Sequence, residues 1–276
     1  MSDLVIRLVS LNLWDLPVPL PRFDRRQRGL RLLQQLPRLD ADLLLFQESF
    51  RPGFRRLLGS ACAGLESHPD CARKRRFLLV PFDATGGLLT LSRWPITAQR
   101  HQPAHWSRGL KLDERIGGKG CLWTRVRTPA GELVVGNAHL YAGNRGADAR
   151  VRARQARELL ARGDLEPGLP TVVAGDFNWD PGHERPDHGP TGDDVMREAG
   201  FREVAGGRTA GLLTKDPRTN RYARFLPWHP PPRRLTHVFY RGPRLGPGPV
   251  PPALCLHDPP VSDHYGLRVT LRFGAG

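Results

Sequence analysis

No apolar run in this chain of 276 residues approaches the roughly 18–20 residues that a membrane-spanning helix needs. Nor does the start, Met1-Ser2-Asp3-Leu4-Val5-Ile6-Arg7, show a basic leader followed by an apolar stretch and a small-residue cleavage site. The first apolar segment is interrupted by Arg7, Ser10 and Asn12, so it reads as mature structure in a cytoplasmic chain. Cysteine is sparse: Cys62, Cys71, Cys121 and Cys255 form no C-x-x-C pair, which argues against a zinc ribbon or a thioredoxin-like site. Cys62 and Cys71 could close a small loop in an oxidising compartment, but in a cytoplasmic chain all four read as free thiols. Lysine is scarcer still against arginine, since only Lys74, Lys111, Lys119 and Lys215 are lysines among 42 basic residues. Codon bias explains arginine in place of lysine; it does not explain the surplus of positive charge, which reaches +15 against 27 acidic residues. Such a surplus favours polyanionic partners, either nucleic acid or an anionic membrane surface.

What is present is the composition of a soluble globular chain, 39% hydrophobic and 25% charged, long enough to bury a real core in one domain over residues 1–276. Val5–Leu11 reads as a strand running into Asn12, and Leu43–Phe46 as a buried strand delivering Gln47 and Glu48. Further strands are expected at Gly87–Ser92, Leu122–Arg127, Leu133–Asn137, Thr171–Ala174, His237–Tyr240 and Gly266–Phe273. Asp24 is placed to cap a helix with Leu30, Leu33 and Leu36 on its apolar side, stopped by Pro37. A second helix spans about Asp148 to Arg162, with Val151, Leu159 and Leu160 inward and Gly163 at its end; a third begins near Asp193. The Pro/Gly-rich stretches Pro227–Pro232 and Gly242–Pro252 read as surface loops. Strands alternate with helices in places and follow one another directly elsewhere, so the expected architecture is an α/β layered sandwich with mixed sheets.

The chemical signal is positional. Polar groups recur where an apolar strand ends: Asn12, Glu48, His139, Asp176 with Asn178, and Asp263 with His264. Strand ends gathered at one edge of a sandwich make a rigid platform for a site, although a polar residue closing a strand is by itself only the start of a turn. The set is chemically compatible. Glu48, Asp263 and Asp176 are hard oxygen donors suited to Mg²⁺ or Mn²⁺. A histidine near neutrality can take a proton from water, and the amide of Asn178 or the neutral ring of His139 can hold phosphate oxygens. Together these meet the needs of phosphodiester hydrolysis.

The motifs Ser10-Leu11-Asn12-Leu13-Trp14, Leu45-Phe46-Gln47-Glu48-Ser49, Gly136-Asn137-Ala138-His139-Leu140, Gly175-Asp176-Phe177-Asn178 and Ser262-Asp263-His264 occur in an order that resembles the endonuclease/exonuclease/phosphatase superfamily. That superfamily includes pancreatic-type deoxyribonucleases, abasic-site nucleases, inositol polyphosphate 5-phosphatases and neutral sphingomyelinases. The resemblance covers roughly residues 5 to 272 and implies a four-layer α/β sandwich with two central mixed sheets. It implies Glu48 as principal metal ligand with Asn12 and Asp263 beside it, and Asp176 and Asn178 positioning water and phosphate. It further implies His264 as general base and His139 as a phosphate- or leaving-group-side histidine. The stretches Gly86–Ile96 and Lys119–Val126 are similar to neutral sphingomyelinases; Lys119 either faces the substrate phosphate or is a turn lysine.

One position departs from the family pattern. Where an aspartate that orients the catalytic histidine is usual, this chain has Thr236 within Arg234-Leu235-Thr236-His237. Threonine can accept a hydrogen bond from His264 but offers no negative charge. The polar segment Asp180–His188 lacks helical register and cysteine and reads as a loop, not a second metal site. Arg73-Lys74-Arg75-Arg76 reads as a solvated face that can also meet a phosphate backbone. Three functions follow: a nuclease on DNA or RNA; a sphingomyelinase-like phospholipase C or other lipid or small-molecule phosphodiesterase, with Trp228 able to meet a membrane or a base; and a non-catalytic binding relic. The expected partner is nucleic acid, with anionic lipid second; nothing points to a protein partner, and the chain is expected to act as a monomer.

Overall fold

In the computed structural model the described residues are 3–17, 24–62, 64–67, 74–77, 80–104, 114, 117–143, 146–162, 168–183, 189–206, 212–225 and 231–274. Cys71, Arg73, Gly163, residues 184–188 and Trp228 lie outside them, as do residues 227–230 of the expected Pro227–Pro232 loop. In chain order the first elements are β1 (Leu4–Asp15), α1 (Arg25–Gln35), β2 (Leu43–Ser49), α2 (Pro52–Ala61), β3 (Lys74–Phe77), β4 (Val80–Asp83), β5 (Leu89–Ser92) and β6 (Ile96–Pro103). Then come β7 (Gly120–Thr128), β8 (Gly131–His139), α3 (Gly146–Arg162), β9 (Thr171–Asp176), α4 (Gly192–Glu198) and β10 (Arg202–Glu203). The last are β11 (Thr236–Arg241), β12 (Leu245–Pro247), β13 (Ala253–Cys255) and β14 (Gly266–Phe273).

Among the described residues twelve of the fourteen strands form two mixed sheets, one ordered β12-β14-β1-β2-β5 with β13 also on β14, the other β10-β11-β9-β8-β7-β6, and β3 and β4 pair as a separate two-stranded sheet. Side chains alternate across a strand, so an all-apolar run serves two cores at once. In β2, Leu43 and Leu45 enter the core between the sheets, against Val135, Val172, Ala174 and Val238. Leu44 and Phe46 point the other way and pack under α1 and α2 with Leu32, Leu36, Phe54 and Leu58. The second sheet repeats the scheme: Val173 and Phe239 pack beneath Ala153, Ala156 and Leu159 of α3 and Val195 and Met196 of α4. The result is the expected four layers, helix–sheet–sheet–helix. Each fully buried side chain of this size contributes about 1.5–3 kcal/mol by leaving water.

Local details differ from the sequence reading. Of the expected apolar side, Leu36 is buried just past α1 and Leu33 packs against the core, but Leu30 is 45% exposed, and α1 buries Leu32 and Arg28 instead. Arg28 is drawn inward because its guanidinium donates to the carbonyls of Leu13 (2.9 Å), Trp14 (2.9 Å) and Val261 (3.2 Å), which satisfies a buried charge that hydropathy would place outside. Asp24 occupies the N-cap position without a side-chain capping bond; its carboxylate receives Arg221 at 3.0 Å. In α3 the buried stripe is Ala149, Ala153, Ala156 and Leu159, with Val151 half-buried beside it. The third helix does start where expected, closed by a capping box of Thr191 with Asp194. Within Gly242–Pro252, read as loop, Leu245–Pro247 instead pairs with β14, Leu245 opposite Phe273. No helix among the described residues is long and apolar enough to cross a membrane.

The topology sets the site. β1 and β2 run parallel with Asn12 opposite Gln47, and β8 and β9 run parallel with His139 opposite Asp176. Both pairs therefore end at the same edge of the sandwich.

Candidate active site

Beneath that edge a buried amide pair ties the two sheets together. Gln47 Nε2 donates to Asn137 Oδ1 at 2.8 Å, and Asn137 Nδ2 donates to the carbonyls of Phe46 (3.0 Å) and Leu89 (3.1 Å). The residue after Gln47 turns out of the strand: Glu48 has φ 54, in the left-handed region. Its backbone N–H donates to Gly86 O at 3.2 Å and that of Ser49 to Gly87 O at 2.8 Å. The approach is possible because position 87 is glycine. At φ 61, a Cβ there would stand 2.5 Å from Ser49 N and 2.8 Å from Glu48 Cα.

Asn12 bridges two carboxylates, its Nδ2 donating to Glu48 Oε1 and to Asp176 Oδ2, both at 2.9 Å. Its side-chain Oδ1 accepts from the backbone N–H of Trp14 at 2.9 Å, so in this arrangement the amide nitrogen links the two carboxylates and the amide oxygen faces the chain. His139 Nε2 lies 3.8 Å from Glu48 Oε1 and 3.9 Å from Asp176 Oδ2, and neither ring nitrogen has a hydrogen-bond partner. His264 Nδ1 lies 3.7 Å from Asp176 Oδ2, and Asp263 Oδ2 lies 3.9 Å from His264 Nε2. The structure thus brings Asn12, Glu48, His139, Asp176, Asp263 and His264 into one cluster.

The environments push the carboxyls apart. Burial drives the Glu48 carboxyl up to about 7, helped by Asp263 and Asp176 and opposed by Lys119 and the Asn12 amide. Burial also resists ionisation of Asp176, but the His264 and His139 rings, the Asn12 amide and Lys119 overcome it and hold that carboxyl at about 2. Both histidines are pushed below their ordinary value, chiefly by burial, with Lys119 acting on His139 and Lys215 on His264; the rings are neutral at pH 7.

The remaining expected residues sit one step back. Lys119 is buried, pairs with Glu114 at 2.9 Å and donates to Leu140 O at 3.2 Å, so its charge reaches Glu48 through space and not by contact. Asn178, at φ 55, donates its amide to the same Leu140 carbonyl at 3.0 Å, while its backbone N–H is received by Asp176 Oδ1 at 3.0 Å. Thr236 lies opposite Asp176 in the β9–β11 register, yet its hydroxyl and His264 Nδ1 are both buried without a partner. The hydrogen bond expected between them is not made. Two residues that the sequence reading left out also belong here: Glu114, which holds Lys119, and Lys215, whose ammonium lies 2.5 Å from Asp263 Oδ2 and 3.2 Å from His264 Nε2. Neither stands in a motif or at a strand end, so no sequence signal marks them.

Among the described residues no three His, Cys, Asp or Glu side chains converge as a finished metal cage. Magnesium needs none, because it keeps several waters and takes one or two carboxylates. Burial chiefly raises the Glu48 carboxyl and the nearby Asp263 and Asp176 add to it, a repulsion that a divalent cation would relieve. The donor set fits a hard cation beside a neutral imidazole base, a combination suited to metal-assisted hydrolysis.

Comparison with known proteins agrees with this fold. A comparison with curated protein sequences returns no match. Among solved structures, a double mutant of β toxin from Staphylococcus aureus with bound magnesium ions superposes with a TM-score of 0.72 at 20% identity, covering 99% of this chain and 100% of that one. TDP2 of D. rerio complexed with single-strand DNA product superposes at 0.70 with 16% identity, over 97% of this chain and 98% of that one. An endonuclease/exonuclease/phosphatase of Beutenbergia cavernae gives 0.63 at 19% identity, over 98% of this chain and 72% of the other. The family model for endonucleases, exonucleases and phosphatases matches residues 9–264, and the chain belongs to that family.

Proposed function

We propose that this chain is a divalent-metal-dependent phosphodiester hydrolase and that its substrate is nucleic acid. The observation that carries the reaction class is the Glu48–Asn12–Asp176 bridge facing two neutral, buried imidazoles. Glu48 and Asp263 would hold the metal, magnesium or manganese, with Asn12 fixing the Glu48 carboxylate. The bound ion supplies charge neutralisation for the phosphate oxygens. His264, neutral and buried, takes the proton from the attacking water. Asp176 stays ionised to orient that water, and His139 and Asn178 present N–H groups to the phosphate.

Nucleic acid is the reading that uses the net charge of +15, since each neutralised backbone phosphate releases counterions. Lipid phosphodiester cleavage is the second reading. It is supported by the packing of the two sphingomyelinase-like stretches: Gly86 donates to Gly117 O at 2.7 Å, and a Cβ at Gly86 would meet Lys119 Cα at 3.2 Å, directly behind Glu48. A panel of plasmid DNA, single-stranded DNA and sphingomyelin vesicles, each with Mg²⁺ or Mn²⁺, separates the two. The nuclease reading expects cleavage of DNA whose binding weakens steeply with salt, the log–log slope flattening by about two when Arg75 and Arg76 are replaced by alanine. Vesicle hydrolysis with a flat DNA salt slope would establish the lipid reading instead. No hydrolysis of either would leave a binding relic.

A further inference from the structure

Lys215 stands in the connection between β10 and β11, and its backbone is clamped from both sides. Its N–H donates to Arg233 O at 3.0 Å and its carbonyl accepts from Arg233 N at 2.9 Å. The Thr214 hydroxyl before it accepts from Leu235 N (2.9 Å) and Thr236 N (3.1 Å), and Thr214 O accepts from Tyr265 N at 2.7 Å. The segment is thereby fastened to the start of β11 and to the turn that carries Asp263 and His264. From this base the side chain, one quarter exposed (25%), reaches Asp263 Oδ2 at 2.5 Å and His264 Nε2 at 3.2 Å.

The direction of the second bond follows from the donor. An ammonium has three donors and no acceptor, so His264 Nε2 must accept. A neutral ring that accepts at Nε2 carries its proton on Nδ1. On that other side the ring finds no anchor: Nδ1 has no hydrogen-bond partner, Asp176 Oδ2 is 3.7 Å away, and the Thr236 hydroxyl is likewise unpartnered.

We infer that Lys215 is the positioning residue of His264, fixing the tautomer and orientation of the ring from its Nε2 side, where other arrangements use a carboxylate at position 236 on the Nδ1 side. The inference rests on reading His264 as the base. With three donors, Lys215 can keep Asp263 in place while it yields the Nε2 lone pair to an incoming water, so the ring is already turned toward the proton it must take. Threonine at position 236 is then no defect, because the orienting group approaches from the opposite direction.

The tautomer itself is the readout. The chain is labelled with [¹⁵N]histidine and studied in chelator at pH 7.5 by two-bond ¹H–¹⁵N correlation, with His264→Asn identifying the ring among the 10 histidines. The expected result is His264 protonated at Nδ1 in the parent and in Lys215→Arg, and conversion to mainly Nε2–H, the form free imidazole side chains favour, in Lys215→Met. If Lys215→Met does not fold, Lys215→Gln, too short to reach Nε2, carries the same expectation. A parent ring protonated at Nε2, or a tautomer unchanged in both neutral variants, would overturn the assignment. Kinetics on bis-p-nitrophenyl phosphate supply the functional half: kcat should fall by about tenfold or more in the neutral variant, with KM within about twofold and recovery in Lys215→Arg. A changed tautomer with unchanged kcat would overturn the positioning role. A parent protein that hydrolyses no diester would sink the hydrolase reading while the tautomer result still decides the role of Lys215.

Discussion

Replacing Glu48 by glutamine should make the metal-free protein more stable at neutral pH, the reverse of what removing a buried hydrogen-bonded group usually does. Folding carries this carboxyl from its ordinary 4.5 to about 7, chiefly by burial, and that corresponds to roughly 3 kcal/mol. Because the folded state holds the proton more tightly than the unfolded chain, stability is lost as pH rises from about 4.5 to about 7 and stays lost above it. Glutamine keeps the acceptor that Asn12 uses at 2.9 Å but has no proton to lose. Its amide nitrogen needs an acceptor of its own, which reduces the expected gain to about 2 kcal/mol. For a chain of this length that is a rise in Tm of roughly 4–8 °C at pH 8. His139 and His264 drive the opposite trend, since a histidine buried neutral loses stability as pH falls below its unfolded value. Only the difference between variant and parent therefore isolates Glu48. Thermal unfolding of both proteins in chelator from pH 4.5 to 8 should show that difference climbing from slightly negative, where the amide cost of glutamine stands alone, to its plateau of about 2 kcal/mol, and added Mg²⁺ should stabilise only the parent. A pH-independent difference, or equal stability at pH 8, would show that the buried charge of Glu48 is not held under strain.

Two further substitutions probe the same architecture. Gly87→Ala should cost about 1–3 kcal/mol and more than about tenfold in kcat/KM, because its Cβ would press on the Glu48 and Ser49 backbone at a positive φ; denaturant unfolding and diester kinetics that match the parent would show that the contact is slack. Thr236→Asp should raise the His264 value and so move the acidic limb of the kcat/KM profile up by about one pH unit or more, since a base must be neutral to act; an unmoved limb would mean that a carboxylate at 236 does not reach the ring.

The sheets were legible because runs such as Leu43–Phe46 are apolar on both faces, and such a run can only be a strand between two cores. β6 escaped notice for the opposite reason. It is an edge strand of mostly polar residues, exposed or half-buried except for Gln102, so Ile96–Pro103 carries no apolar period. In α1 only Leu30 departs from the expected apolar side, because a buried arginine, Arg28, holds a place where periodicity seeks leucine. In the site, residues that end strands could be found, since the sheet order brings Asn12, Glu48, His139 and Asp176 to one edge. Lys215 could not. It lies 48 residues from its partner Asp263, and only the clamp on its backbone, itself a tertiary feature, aims it at His264.

The most direct test is hydrolysis of bis-p-nitrophenyl phosphate by the purified chain across a Mg²⁺ and Mn²⁺ titration, run in parallel with excess chelator and with Glu48→Gln and His264→Asn. Release of nitrophenolate should require the divalent ion and fall by about a hundredfold or more in each variant. Full turnover in chelator, or variants that turn over as the parent does, would contradict the assignment of a metal-assisted diesterase to the Glu48–His264 cluster.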